Sequence, residues 1–290
     1  KKTVVRLFVV EESQMSAYEK LLKAQGSIST FAGQPVENIP SYYKAENQLP
    51  TEASIGLYRA AEEGNLDAIR QHLNEGGNPN WFHNEEEGAT SLFAACSKGH
   101  IEAVQLLIDN GAAVEIRLLT TKESLLHICC ASNALAMVEF LVQGPAQELL
   151  DCTNAFGNTP LHVACMGASA DIVQFLLDSG ASSTLQNRRR STALHFVSYS
   201  QGDDEALTRI VNLLVEKQAD VNATDSDGQT PLHSAAIKES VTVCRLLLNS
   251  GATKDVKDGN GHTPLYYAQV KGNSALIDLL SLGGEEEAKK

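Results

Sequence analysis

One four-letter string returns along this chain at a fixed distance, and no other feature constrains the fold as strongly. It stands as Thr159-Pro160-Leu161-His162, Thr230-Pro231-Leu232-His233 and Thr263-Pro264-Leu265-Tyr266. Degenerate copies read Thr90-Ser91-Leu92-Phe93, Ser124-Leu125-Leu126-His127 and Thr192-Ala193-Leu194-His195. Aligned on the leucine, the series runs Leu57, Leu92, Leu126, Leu161, Leu194, Leu232, Leu265, in steps of 35, 34, 35, 33, 38 and 33 residues. A period near 33 means one supersecondary unit that buries its apolar face only by stacking on copies of itself. Such a chain grows by addition and has no single central core, so a length of 290 does not fix a domain count.

The fourth copy, Asn154 to Gln186, shows how one unit folds. Thr159 suits a helix N-cap, where its hydroxyl can accept from a first-turn N–H. Pro160 follows at the first helical position, where a missing N–H is harmless. Leu161, Ala164 and Cys165 then form one apolar stripe. After a break at Gly167–Ala170, the run Asp171-Ile172-Val173-Gln174-Phe175-Leu176-Leu177 spaces its apolar residues for a second helix. Gly180 ends that helix as a left-handed cap, and Asx and Gly turn chemistry in the connecting segment predicts a projecting hairpin.

The sequence G-x-TPLH-x-A…IV-x-LL-x-x-GA-x-x-N resembles the ankyrin repeat over about residues 55–283, with three Gly-Ala caps in phase (Gly111-Ala112, Gly180-Ala181, Gly251-Ala252). The resemblance implies an all-α solenoid of stacked helix-turn-helix units with β-hairpin tips, preceded by a short N-terminal extension. Residues 1–54 read as that extension (strand, helix, connector), 55–284 as about seven repeats, and 285–290 as a charged tail. The resemblance also makes His127, His162, His195 and His233 structural hydrogen-bonding residues. It places the partner-facing surface on the hairpin tips and on the fourth and fifth residues after each TPLH histidine. Those helix positions are Ser97 and Lys98, Ala131 and Ser132, Met166 and Gly167, Tyr199 and Ser200, Ile237 and Lys238, Val270 and Lys271. Phe156, Met166, Tyr199 and Ile237 then form an apolar strip flanked by Arg188 and Arg189, which is the composition of an interaction site.

Two stretches break the pattern. In repeat five, five extra residues enlarge the turn near Gln201–Glu205. There Arg190 replaces the tip glycine found at Gly157, Gly228 and Gly261, and Gln218 replaces the capping glycine. In the first tip, Asn80 to Gly88 is two residues longer than its counterparts and holds the only tryptophan. Trp81 and Phe82 beside three glutamates could receive a lysine or methyl-lysine side chain by cation–π attraction, a use the resemblance permits. Leu214, Asp220, Val221 and Asn222 match the spacing of hydroxylated asparagines in this family, which makes Asn222 a candidate hydroxylation site. The same letters are also the family's ordinary hairpin.

Composition narrows the function further. With 36 Asp and Glu against 23 Lys and Arg, a net charge of −13 and a pI near 5.0, nucleic acid is not expected as a partner. No apolar run approaches the roughly 18 residues that span a bilayer, so membrane insertion is not expected either. The six cysteines show no CxxC pairing, and Cys96, Cys130 and Cys165 share one column with Ser198 and Ala236. They read as snug core residues in a reducing compartment rather than metal ligands or disulfides. No P-loop, GxSxG or HExxH string is present, and no cofactor is expected. The leading expectation is a non-catalytic adaptor or regulatory subunit, monomeric and cytoplasmic with the nucleus as alternative, binding one or more proteins or peptides. A targeting portion of a larger enzyme and a modified-lysine reader through Trp81 are the alternatives.

Overall fold

The computed structural model describes residues 50–83, 88–200 and 202–281. The strand, helix and connector expected in residues 1–49 and the charged tail at 285–290 lie outside them. The chain divides into two compact units, residues 1–128 and 129–290.

Among the described residues fourteen α-helices follow one another in pairs, and no strand forms. Unit 1 contains α1 (Glu52–Glu63), α2 (Leu66–Asn74), α3 (Ser91–Lys98) and α4 (Ile101–Asp109). Helix α5 (Leu125–Ala131) spans the division between the units. Unit 2 continues with α6 (Leu135–Gln143), α7 (Pro160–Met166), α8 (Ala170–Asp178), α9 (Ala193–Val197) and α10 (Asp204–Glu216). It ends with α11 (Pro231–Ile237), α12 (Val241–Asn249), α13 (Pro264–Lys271) and α14 (Ser274–Ser281). Odd-numbered helices carry the TPLH-type string and even-numbered ones the IV-x-LL run. Thr51 caps α1 by accepting from the Ser54 N–H at 3.0 Å, so the helix begins at Glu52.

Within unit 2 the odd helices pack in one row, α7 on α9 on α11 on α13, and the even helices in a second row from α6 to α14. The core lies between the rows. Leu161, Leu194 and Leu232 are fully or almost fully buried, as are Ile172, Leu176, Ile210, Leu214, Val243 and Leu247. The shared cysteine column is buried too, at Cys130, Cys165, Ser198 and Ala236. Burial pushes the Cys165 thiol up, and that of Cys244 up to about 12, so these sulfurs stay protonated and pack as small apolar groups.

The histidines lock one repeat to the next. In repeat four the Thr159 backbone N–H donates to His162 Nδ1 at 3.1 Å, and the Thr159 hydroxyl lies 2.8 Å from the same nitrogen. His162 Nε2 sits 3.2 Å from the Ser191 carbonyl oxygen in repeat five. A carbonyl only accepts, so Nε2 carries the proton and Nδ1 is the acceptor. His195 repeats the bridge to Gln229 and His233 to His262, each at 3.1 Å. Burial lowers the pKa of both rings, which keeps them neutral.

The second helices end as expected. Gly180 has φ 99, its N–H donates to Leu177 and the Ala181 N–H to Leu176, which closes a Schellman motif. The same pair of bonds recurs in repeat five, where the Gln218 N–H donates to Val215 and the Ala219 N–H to Leu214, with Gln218 at φ 65 and without the freedom of glycine. The expected enlarged turn of repeat five is present: six residues separate α9 from α10, against three between α7 and α8 and between α11 and α12. Asp203 caps α10 by accepting from the Ala206 N–H at 2.8 Å, and the inserted residues lengthen that helix to 13, against 9 for α8 and α12.

Candidate protein-binding face

The tips of unit 2 are turns rather than paired strands, and each is held by one Asx side chain. Asn154 Oδ1 accepts the N–H groups of Phe156 and Asn158 at 2.9 and 3.0 Å. Asn187, Asp225 and Asp258 do the same for the residues two and four further on, each at 2.9 Å. One backbone bond then joins each tip to the next: Arg188 N–H to Phe156 carbonyl at 3.0 Å, Ser226 to Arg189 at 2.7 Å, Gly259 to Asp227 at 2.8 Å. The single bond per tip explains why no ladder forms. It also explains Gly157: with φ 79, a Cβ there would lie 2.6 Å from the Arg188 nitrogen. Arg190 occupies the matching place in repeat five with φ 59 and is exposed, so this tip presents a side chain where its neighbours have none.

The fourth residue after each TPLH histidine position sits at or just beyond the C-terminal end of its inner helix. Met166, Tyr199 and Val270 are 47%, 50% and 64% exposed, Phe156 on the adjacent tip is 62% exposed, and Ile237 is half-buried between Tyr199 and Val270 in the series. These large apolar side chains belong to consecutive repeats whose inner helices pack directly on each other. Tyr199 is backed by Phe196, with ring centroids 6.3 Å apart, and Phe196 in turn meets His162 edge-on at 5.0 Å. Lys238 of the next repeat places Nζ 4.6 Å from the Tyr199 ring centroid. That cation–π contact runs along the strip and shows that neighbouring positions of the column reach one another. Val270, expected among the partner-facing helix positions, is exposed in the same column.

Basic residues rim this face. Arg188 and Arg189 are exposed as expected, and Arg189 is engaged by Asp227 at 2.6 Å. Arg188, Arg190, Lys238 and Lys271 make no ion pair among the described residues. The acidic tip residues Asp225 and Asp258 are buried and turned inward to their Asx bonds. So four cations without an ion pair among the described residues border the strip on an acidic chain, with exposed Glu239 and Asp203 to Glu205 near them in sequence.

Two expected contact residues are not on a surface. Trp81 and Phe82 are only 6% and 8% exposed. The indole packs edge-on against His83 with centroids 5.5 Å apart, and His83 in turn packs on Tyr58 of α1 at 4.6 Å. A buried indole has no open face for an ammonium group, so the modified-lysine reading loses its receptor. Glu85, Glu86 and Glu87, which that reading also used, lie outside the described residues. Asn222 is half-buried and bonds to the segment just after α12, since its Oδ1 accepts the Thr253 N–H at 2.8 Å and its Nδ2 donates to the Gly251 carbonyl at 3.3 Å. Asn80 makes the equivalent pair of bonds to Ala113 and Gly111. No helix among the described residues is long and apolar enough to cross a membrane.

Comparison with known proteins supplies the family. The ankyrin-repeat profile matches three times, at residues 57–151, 143–225 and 204–289. Among curated proteins, the mouse B-cell lymphoma 3 protein homolog is 30% identical over 172 residues, covering 56% of this chain and 37% of that protein. The E3 ubiquitin-protein ligase KEG of Arabidopsis thaliana is 26% identical over 235 residues, 66% of this chain and 14% of that protein. The matched stretches are thus a minor part of these relatives' lengths. Among solved structures, the ankyrin repeat domain of Bcl-3 superposes with a TM-score of 0.62 at 26% identity, covering 78% of this chain and 97% of that one. The human ASB11 ankyrin repeat domain gives the same TM-score and identity over 76% and 96%. Period, paired helices, Asx-held tips, bridging histidines and these matches agree: the chain belongs to the ankyrin-repeat family.

Proposed function

We propose that this chain is a non-catalytic interaction module, an adaptor or regulatory subunit that holds partner proteins on the tips and inner-helix ends of repeats four to seven. The observation that carries the reading is the exposed column Met166, Tyr199, Ile237 and Val270 with Phe156 beside it. Burying these side chains in water-free contact is favourable by about 25 cal/mol per Å² of apolar area, and an apolar strip with a charged rim is the form that protein-binding surfaces take. The inner helices begin on threonines, Thr159, Thr192 and Thr230, whose hydroxyls lie beside a histidine nitrogen but are buried. Their histidines are spent on repeat-to-repeat bonds, and their buried thiols are held protonated.

The test is affinity capture with the wild-type chain beside a Tyr199→Ala, Arg188→Glu double variant. Both side chains are exposed, so the variant keeps its fold. Partners lost only by the variant identify the face, and identical captures by the two proteins refute it. A second reading, the targeting portion of a larger enzyme, is favoured by one observation: the matched stretch is 14% of the length of the ubiquitin ligase. Immunodetection of an endogenous product no larger than 31.2 kDa would remove it.

A further inference from the structure

The strip and its rim say what kind of partner segment fits, taking the interaction face of the preceding reading as given. Three observations set the requirements. The apolar side chains come one per repeat, from Met166 through Tyr199 and Ile237 to Val270, on inner helices packed side by side. Packed helix axes lie about 8–10 Å apart, so the ligand must offer an apolar group at that spacing. The cations Arg188, Arg190, Lys238 and Lys271 have no carboxylate partner among the described residues. Of the carboxylates near them in sequence, Asp227 is paired with Arg189, Asp203 caps α10 and Asp204 accepts from the Thr242 hydroxyl, while Glu239 accepts from the Asn273 amide at 3.5 Å and keeps its charge.

Spacing discriminates among peptide conformations. In a β-strand, side chains on one face recur at about 6.6 or 13 Å, which steps out of phase with the repeats. An α-helix returns to the same face after seven residues, about 10.5 Å, just beyond the range. A polyproline II segment has three residues per turn and rises about 3.1 Å per residue, so every third side chain recurs at about 9.3 Å. That value falls inside the helix-packing range. The same conformation is largely preformed in the unbound peptide, so binding orders it at low entropic cost.

We infer that repeats four to seven hold an extended acidic peptide in polyproline II conformation, one apolar side chain per repeat at every third position, its carboxylates facing Arg188, Arg190, Lys238 and Lys271. Lys238 is the clearest case. The Tyr199 ring holds its ammonium 4.6 Å from the ring centroid, where a passing carboxylate meets a positioned charge.

The probes are four synthetic peptides tested by calorimetry against the whole chain. They are four Leu-Glu-Pro triplets, the same with lysine for glutamate, a permutation pairing the leucines, and an acidic α-helical peptide with leucine every seventh residue. The first should bind at least about tenfold more tightly than the other three and weaken as ionic strength rises. A Lys238→Glu, Lys271→Glu variant, with its helicity checked by circular dichroism, should lose about tenfold for that peptide and gain for the lysine peptide. Equal affinity for the permuted or lysine peptides, tighter binding of the helical one, or no binding of the first overturns the inference. If another peptide binds and Tyr199→Ala abolishes it, the face survives and only the extended acidic register fails. Binding indifferent to Tyr199→Ala removes both.

Discussion

Replacing Gln218 by glycine should stabilise repeat five. Gln218 stands at the C′ position of α10 with φ 65, where the corresponding residues Gly76, Gly111, Gly180 and Gly251 have φ between 86 and 99. A side chain in left-handed backbone costs about 1–2 kcal/mol. Glycine returns part of that gain through the greater freedom of its unfolded chain, about 0.4–1 kcal/mol. Gln218 is exposed, and the Schellman bonds Gln218 to Val215 and Ala219 to Leu214 are made by backbone, so the substitution removes no contact of the fold. The net gain is about 0.5–1 kcal/mol, or about 2 °C in Tm for a chain of this size. Because a solenoid's stability is distributed repeat by repeat, the sharper assay is native-state hydrogen exchange, with amides of α9 and α10 gaining about threefold in protection. Gly180→Gln is the reciprocal control. A Cβ there meets nothing within 4 Å, so only its φ of 99 is penalised, and the variant should lose stability by a similar amount. An unchanged or lowered Tm for Gln218→Gly, alongside a loss for Gly180→Gln, would refute the strained-cap reasoning.

Arg190→Gly relieves the same kind of strain at φ 59 and should raise Tm by a similar margin while weakening binding of the acidic peptide, measured by thermal melt and calorimetry on one preparation. Acidification should destabilise unit 2. His195 and His233 have folded-state pKa values lowered by burial, so the unfolded chain binds protons more readily. Their stabilisation is complete above the unfolded value of about 6.5 and is lost as pH falls from there through the folded values. A Tm flat between pH 7 and 5 would contradict this. Trp81→Ala should cost about 3 kcal/mol by denaturant melt, because it empties a buried site, and leave peptide affinity unchanged. A docking tryptophan would show the reverse.

The repeat makes the fold legible because each of its letters answers a local demand. Thr159, Pro160 and Gly180 perform in the structure the capping and turn roles their chemistry announces. Where the letters depart, the sequence shows that something changes but not how. The insertion before α10 reads as loop because Gly202 and two aspartates are turn formers. Asp203 is also a good N-cap, and with that cap in place the residues after it join the helix. Trp81 escapes the sequence for a different reason. A projecting tip of unusual length suggests exposure, while the contact that buries it, through His83 to Tyr58, connects residues 25 apart with no periodic signal between them. The apolar strip is visible as a column, since Met166, Tyr199 and Ile237 stand in register. Its basic rim is legible in Arg188 and Arg189, but the pairing of its charges is not. Counting charges gives an acidic protein, and only the geometry shows that Asp225 and Asp258 spend their carboxylates inward while Lys238 and Arg190 stand outward.

The backbone anomalies and the proposed binding face fall in the same part of the chain, and side-chain supply connects them. Left-handed positions in unit 2 are filled by glycine at Gly157, Gly180, Gly228, Gly251, Gly261 and Gly272, but by Ala168, Arg190, Gln218 and Glu239 in repeats four to six, with Asn133 before them. Glycine satisfies the dihedral and offers nothing to a partner. Arg190 satisfies it at a cost of about 1–2 kcal/mol and adds a cation to the rim of the strip. Gln218 bears the same strain at an outer-helix cap, away from the side chains that form the strip. Strain retained at functional positions is a recognised pattern, but the inference must run from the outlier to the role. Arg190 and Gln218 allow that inference to be checked within one repeat. If strain here serves binding, relieving it at Arg190 should trade affinity for stability, whereas relieving it at Gln218 should gain stability alone. Equal behaviour of the two would mean that repeat five is only a weaker copy of its neighbours.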